Sequence, residues 1–443
     1  MAVSLRYGEA MSPTPLSVGL LGCGNVGGAL VTLLDEQRRE IASRSGVALE
    51  ISRIAVHSTT KDRGVGVPSD VFTTDAAAVV ADPDIDLVVE TIGGIEPARE
   101  LVLAALAAGK PVVTANKELL ANHGAELFDA ATAAGVDLLF EAAVAGAIPL
   151  MRPLRESLAG EPISRVMGIV NGTTNYILSQ MSDSGVSYQA ALAEAQSLGY
   201  AERDPTADVE GYDAGAKAAI IASVAFGARV VAGDVYHEGI SEITEADIDF
   251  ASRLGFVIKL LAIIERVGDH DGYPGVAVRV HPAMIPSTHP LASVRDSFNA
   301  VFIEGGAAGE LMFYGRGAGG RPTASAVLGD LIDAATNKVR GVGARLDIAT
   351  KAAIQPIDEL LSEYYLNLEV TDEPGVLATV ASIFGAHKVS IRSMEQEGLG
   401  DQARLIFITH LALERDVRAT LHELRQLDSV RNVGTLMRVV GEQ

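Results

Sequence analysis

The sequence predicts an α/β protein of several domains, and three observations carry that prediction. Short apolar runs of strand length alternate with longer amphipathic runs of helix length from residue 16 onward. A glycine-rich turn, Gly22-Cys23-Gly24-Asn25-Val26-Gly27, joins the first strand to the first helix. The composition is small and β-branched: 45 glycines and no Trp in 443 residues, with aromatics at 5%. Such residues suit helices packed closely on a sheet, and roughly 100–200 residues per domain gives two to four domains.

The elements follow in order. Residues 1–15, with Pro13 and Pro15, read as an N-terminal extension. Residues 16–21 (LSVGLL) read as a buried strand, 28–43 as a helix, and 49–56 as a second strand. The run 85–90 (IDLVVE) is a buried parallel strand ending at Thr91-Ile92-Gly93-Gly94. A helix over about 96–108, a strand at 111–117, a helix over 121–134 and a strand at 136–141 complete a Rossmann-type parallel sheet over 16–149. Residues 150–323 change character, with a strand at 163–170, helices at 174–183 and 187–198, and strand-like stretches around 275–313. They read as a second, α+β domain. Residues 324–350 include a helix expected to return to the first domain, and 351–363 read as a linker. Over 364–443 the order β-α-β-β-α-β, with helices at 376–386 and 414–426, is the ferredoxin-like motif.

Charge and cysteine content exclude some function classes. The net charge of −22 argues against nucleic acid or an anionic membrane as partner. One cysteine, Cys23, excludes an intramolecular disulfide framework and points to a reducing, cytoplasmic setting. No run is long and uninterrupted enough to span a bilayer, and no secretory signal is apparent. The nine histidines show no metal-ligand spacing, and Cys23 is read as a packing residue.

Three constellations are read as carrying chemistry. The glycine turn at a helix N-terminus is suited to a pyrophosphate. The second strand ends without an acid to hold a ribose 2′-hydroxyl, and His57, Lys61 and Arg63 follow it, which favours NADP over NAD. A solvated loop would explain the same two cations. Asp213 and Lys217, spaced i and i+4, are the charged residues of an otherwise apolar helix. Charges in such a helix must pair or serve a ligand, and a lysine there is suited to proton exchange. A structural ion pair is the other reading. Lys117 follows a parallel strand at the edge where ligands bind in open α/β sheets, although a loop lysine would look the same.

Separated motifs then resemble one family, homoserine dehydrogenase: GCGNVG at 22–27, ETIGG at 90–94, TANKELLA at 114–121, EAAVAGAIP at 141–149, NGTTNYIL at 171–178, GYAERDPTADVEGYDAGAK at 199–217, HPAMIPSTHPLASV at 281–294 and MFYGRGAGGRPTASAV at 312–327. The resemblance implies interconversion of L-homoserine and L-aspartate 4-semialdehyde with NAD(P)(H), on the route to threonine, methionine and isoleucine. It implies Lys217 as acid/base and Lys117 at the nicotinamide end of the cofactor. It gives Glu202 and Asp213 to the substrate, and Gly22, Gly24, Asn25, Val26, Gly27, Thr91, Lys117, Gly199 and Gly319 to the cofactor. Glu141, with the carbonyls of Val144, Gly146 and Ile148, matches a family sodium site. Similar enzymes often place an arginine where this chain has His57. The C-terminal module, with Asp372-Glu373-Pro374-Gly375-Val376-Leu377, looks like an ACT domain, which implies an amino-acid effector such as threonine, and a homodimer or homotetramer is expected. The competing readings are a related dehydrogenase acting on a different oxo-acid and a non-catalytic amino-acid sensor.

Overall fold

The structure is a computed structural model that describes residues 12–270, 273–343, 348, 350–398, 400 and 402–441. The chain divides into two compact units. One comprises the chain up to Gly160 with Ser223–Val231 and Gly315–Thr350; the other comprises Glu161–Ala222, Ala232–Tyr314 and Lys351–Gln443.

In the first unit the elements run β1 (Thr14–Leu21), α1 (Asn25–Ser45), β2 (Val47–Ala55), β3 (Phe72–Thr73), α2 (Ala76–Ala81), β4 (Leu87–Glu90), α3 (Ala98–Ala107), β5 (Val112–Thr114), α4 (Lys117–Ala134) and β6 (Leu138–Leu139). The strands are parallel in the order β3-β2-β1-β4-β5-β6, so the direction of winding reverses between β1 and β4. A crevice at the carboxyl ends of the strands is the ligand position that this reversal creates. Residues 1–11 of the expected N-terminal extension lie outside the described residues, while Thr14 and Pro15 belong to β1.

The chain continues through β7 (Ile163–Ile169), α5 (Gly172–Ser184), α6 (Tyr188–Ser197), α7 (Thr206–Val209), α8 (Tyr212–Phe226), α9 (Glu245–Arg253), β8 (Phe256–His270), β9 (Tyr273–Pro286), β10 (Phe298–Gly305), β11 (Gly309–Arg316) and α10 (Gly320–Arg340). Helix α10 belongs to the first unit: its Ala324, Val327, Leu328 and Leu331 share a buried core with Val18, Leu30 and Leu34.

The C-terminal module consists of β12 (Leu361–Thr371), α11 (Val376–Ala386), β13 (Ile391–Gly398), β14 (Gln402–Thr409), α12 (Glu414–Leu424), β15 (Val430–Val433) and β16 (Met437–Val439). Its own core gathers Tyr364, Leu368, Val380, Phe384 and Phe407. The module also continues a larger sheet in the order β11-β10-β7-β8-β9-β16-β12-β14-β13. The joint is β16, parallel to β9 with Ala283 opposite Arg438 and antiparallel to β12 with Tyr364 opposite Arg438.

At that joint Arg438 is 2% exposed. Its guanidinium donates to Glu238 at 2.6 and 2.9 Å and to Glu414 at 2.9 Å, and Tyr364 Oη donates to the same Glu414 carboxylate at 2.9 Å. A buried cation is tolerable only when it is held in this way, and removing one partner of such a set costs about 3–5 kcal/mol.

Candidate active site

The predicted site residues fall into two groups, one in each unit. In the first unit the glycine turn is shaped by close approach. A Cβ on Gly27 would stand 2.3 Å from the Gly22 carbonyl oxygen, whereas one on Gly24 would meet nothing within 4 Å. Gly27 is therefore required by packing, and Gly24 leaves open space above the turn. No side chain caps α1 at Gly24. The first N–H groups of the helix, from Asn25, Val26 and Gly27, thus have no helical acceptor and suit an anion. This cradle fits a dinucleotide pyrophosphate.

The β4 end supports the same turn. Thr91 Oγ1 donates to the carbonyls of Gly22 at 2.9 Å and Leu21 at 3.2 Å. Glu90, fully buried, accepts from the amides of Ile92 at 2.7 Å and Gly93 at 3.0 Å and from Thr114 Oγ1 at 2.5 Å. Asn116 caps α4 by accepting from the Leu119 amide at 3.0 Å, and its Nδ2 donates to the Gly94 carbonyl at 2.6 Å. Lys117 is thereby fixed as the exposed first residue of α4. The sequence reading starts that helix at 121; the Asn116 cap is the local signal for the earlier start.

A cavity of about 590 Å³ opens beside the turn, lined by Gly22, Gly24, His57, Lys61, Arg63 and Thr91 among others. Among the described residues no carboxylate lines it. The Arg63 guanidinium donates to the carbonyls of Ser58 and Lys61, both at 2.8 Å, and lies 5.4 Å from the centre of the Phe72 ring. Cys23 is buried, and that burial pushes its thiol pKa up, so it is held as the neutral thiol.

The turn expected to hold sodium is braced by Glu141. The Glu141 carboxylate accepts main-chain amides from Leu150, from Met151 at 2.7 Å and from Arg152 at 2.9 Å. Three of the roughly four lone-pair positions of this carboxylate are thus taken by main-chain amides, and one on Oε2 is left. The turn itself packs on the glycine cluster near Gly319: Ala147 N donates to Arg316 O at 3.0 Å, and a Cβ on Gly146 would stand 2.4 Å from the Gly317 oxygen. Among the described residues no group of three His, Cys, Asp or Glu side chains is placed to hold a metal ion.

In the second unit a bonded cluster forms around α8. Lys217 Nζ donates to Asp213 Oδ2 at 2.6 Å and to the Val170 carbonyl at 2.7 Å. The pair is buried, with side-chain exposures of 11% and 6%. Asn171 caps α5 by accepting from the Thr174 amide at 2.9 Å. Its Nδ2 donates to Asp213 at 2.8 Å and to Asp208 at 2.6 Å. One side chain thus fixes both a helix start and the carboxylate beside Lys217.

Asn171 and Asp208 were not among the predicted site residues; an Asn opening a helical run was the signal for the first. Glu202 is exposed and lies outside this bonded cluster, on the loop that starts at Gly199. Thr173 Oγ1 ties that loop to α5 by donating to Tyr200 O at 2.7 Å.

Comparison with known proteins bears on what these groups serve. Residues 149–332 match the family model for homoserine dehydrogenase, 22–141 that for the homoserine dehydrogenase NAD binding domain, and 364–429 that for the ACT domain. The homoserine dehydrogenase of Corynebacterium glutamicum is 54% identical over 96% of this chain and 95% of its own length. The crystal structure of a homoserine dehydrogenase from Thiobacillus denitrificans superimposes with a TM-score of 0.91 at 42% identity, covering 96% of this chain and 98% of that one. A hyperthermophilic archaeal homoserine dehydrogenase in complex with NADPH superimposes with a TM-score of 0.63 at 29% identity, covering 75% of this chain and all of that one.

Proposed function

The chain belongs to the homoserine dehydrogenase family, and on that premise we propose that it reduces L-aspartate 4-semialdehyde reversibly to L-homoserine, with NADP preferred to NAD. The observation that carries the residue assignment is the buried ammonium of Lys217, held 2.6 Å from one carboxylate in a helix that has no other charged residue.

When bound, the nicotinamide supplies the hydride. The chain's own residues then deal with the charge that accumulates on the aldehyde oxygen. Lys217 holds a proton at Nζ for that oxygen, with Asp213 and the Val170 carbonyl fixing its direction. Lys117, opening α4, adds positive field. Glu202 takes the substrate ammonium, which selects an amino acid, and Asp213 orients the site. Gly22, Gly24, Asn25, Val26, Gly27 and Thr91 hold the pyrophosphate end of the cofactor, and Gly199 and Gly319 contact it further along.

The NADP preference is supported by the cavity beside the glycine turn, which among the described residues lacks a carboxylate and has Lys61 and Arg63 in its wall. A sodium ion at the 141–148 turn would rest on Glu141 and on the carbonyls of Val144, Gly146 and Ile148; turnover in sodium against potassium buffer tests it. Threonine acts as effector through the ACT module in this reading. The edge strands β11 and β13, which expose Tyr314 and Met394, supply surfaces for a homodimer or homotetramer. The setting is cytoplasmic; among the described residues no helix is long and apolar enough to cross a membrane.

Initial rates with NADPH and NADH on L-aspartate 4-semialdehyde and on other aldehydes test the reaction. In the same assay Lys217→Ala is expected to lose at least about 10²-fold in kcat, with the KM for cofactor unchanged. Near-normal turnover in that variant would remove Lys217 from proton transfer.

A further inference from the structure

Lys259 is a buried cation that the proposed chemistry does not use. It lies on β8 and is 1% exposed. Strand β8 pairs antiparallel with β7, with Ala262 opposite Gly168. Carried three residues further, that register sets Lys259 level with Asn171, where the chain leaves β7 for α5. Asn171 is the residue that caps α5 and holds the Asp213 carboxylate at 2.8 Å.

The Lys259 ammonium joins two distant pieces of chain. Nζ donates to Asn175 Oδ1 at 2.9 Å and to the Val294 carbonyl at 2.6 Å. Asn175 follows Asn171 by about one helical turn. Its oxygen faces the ammonium, so its Nδ2 faces the opposite way and donates to the carbonyls of Asp296 at 2.9 Å and Phe298 at 3.2 Å. Flipping the amide would set its NH2 group against the ammonium, which has no lone pair to accept it. Lys259 therefore fixes which way Asn175 points.

The turn at 294–298 bears directly on the start of α5. Asp296 has φ of 54°, a left-handed backbone that a residue with a side chain keeps only under restraint from its surroundings. A Cβ on Gly172, the first residue of α5, would stand 2.7 Å from the Ser297 carbonyl oxygen. The helix start thus takes its place from the turn, and the turn is held by Asn175 and Lys259. An apolar side chain would fill position 259 at less cost than a buried ammonium bonded to neutral oxygens. What the ammonium adds is direction.

We propose that Lys259 is a positioning residue for proton transfer: by fixing the start of α5 through Asn175 and the 294–298 turn, it sets Asn171, and Asn171 aims the Asp213–Lys217 pair. This deepens the reading of Lys217 as the proton donor and rests on it. Lys259 itself touches neither Asp213 nor Lys217, and its effect on the reaction passes through the Asn171 side chain.

The test is a double-mutant cycle in the full-length chain. Lys259→Met keeps an unbranched side chain and removes the charge, so the fold is expected to hold. Rates are counted per NADPH-binding site, titrated by fluorescence, so that unfolded molecules do not enter. In the parent, Lys259→Met should lower kcat about tenfold, the scale of a small misplacement of a reacting group, with the KM for NADPH within about twofold. In Asn171→Ala, where the link to Asp213 is already cut, adding Lys259→Met should cost less than about twofold more. An equal tenfold loss in both backgrounds overturns the route through Asn171, and an unchanged kcat in the parent leaves Lys259 a purely structural residue. If Lys259→Met does not fold, Asn175→Ser cuts the same links from the helix side and is judged by the same two comparisons. Near-normal turnover in Lys217→Ala would instead sink the reading of the proton donor, a result separate from either outcome at Lys259.

Discussion

Two buried lysines in the second unit differ in their partners. Lys217 has a carboxylate at 2.6 Å, whereas Lys259 donates only to neutral oxygens, Asn175 Oδ1 at 2.9 Å and the Val294 carbonyl at 2.6 Å. Burial first, and the charge of Arg295 second, push the Lys259 pKa down to about 8. Between pH 8 and 10.5 the unfolded chain keeps a proton that the folded chain has released. Stability therefore rises with pH across that window, by on the order of 3 kcal/mol at full effect. Lys259→Met is expected to flatten the rise in urea midpoint between pH 7.5 and 9.5 relative to the parent.

Arg63 gives a second prediction at this scale. Arg63→Ala should raise the KM for NADPH about tenfold and leave that for NADH within about twofold; equal changes for both would place Arg63 outside 2′-phosphate binding. The Asp213–Lys217 pair was legible in the sequence because an i,i+4 spacing in an apolar helix is a local signal. The bond from Asn171 to Asp213 was not, since it joins residues 42 apart and depends on how α5 meets α8.

Among the elements, the turn between β1 and α1 separates packing from ligand binding within six residues. Gly27→Ala pushes a methyl group into the Gly22 carbonyl and is expected to cost more than about 2 kcal/mol of stability, read as a lower Tm. Gly24→Ala meets no protein atom, so its Tm should hold while cofactor affinity falls about tenfold or more, by obstruction of the pyrophosphate. A cofactor affinity unchanged in Gly24→Ala would contradict the cradle. Strands and helices were readable wherever periodicity was strong, as in α11, whose bounds match the prediction at 376–386. Ends were less readable. The run 136–141 shrinks to β6 at 138–139, and Glu141 turns away from the sheet to accept amides.

For the molecule as a whole, the decisive feature is the sheet shared between the catalytic strands and the C-terminal module. Alternating burial foretold strands, and the module's motif foretold its fold, but nothing local in 437–439 names Ala283 as a partner. The Arg438 network locks that joint electrostatically. Burial raises the Glu238 pKa, but hydrogen bonds and charge from Arg438 outweigh it and hold it at about 2. Its share of stability is present above about pH 4.5 and is lost as pH falls toward 2, on the order of 3 kcal/mol. Glu238→Gln is accordingly expected to show a smaller drop in urea midpoint between pH 6 and pH 3 than the parent. An equal drop would assign the acid sensitivity to other carboxylates.

The strand at 437–439 lies between 273–286 and 361–371 in the shared sheet, so register there is settled only once distant stretches of chain have met. Closing so long a loop carries an entropic toll that local hairpins do not face. Refolding should accordingly be biphasic to a stopped-flow observer: the flanking pieces gain structure early, and the seam between them zips last and slowest.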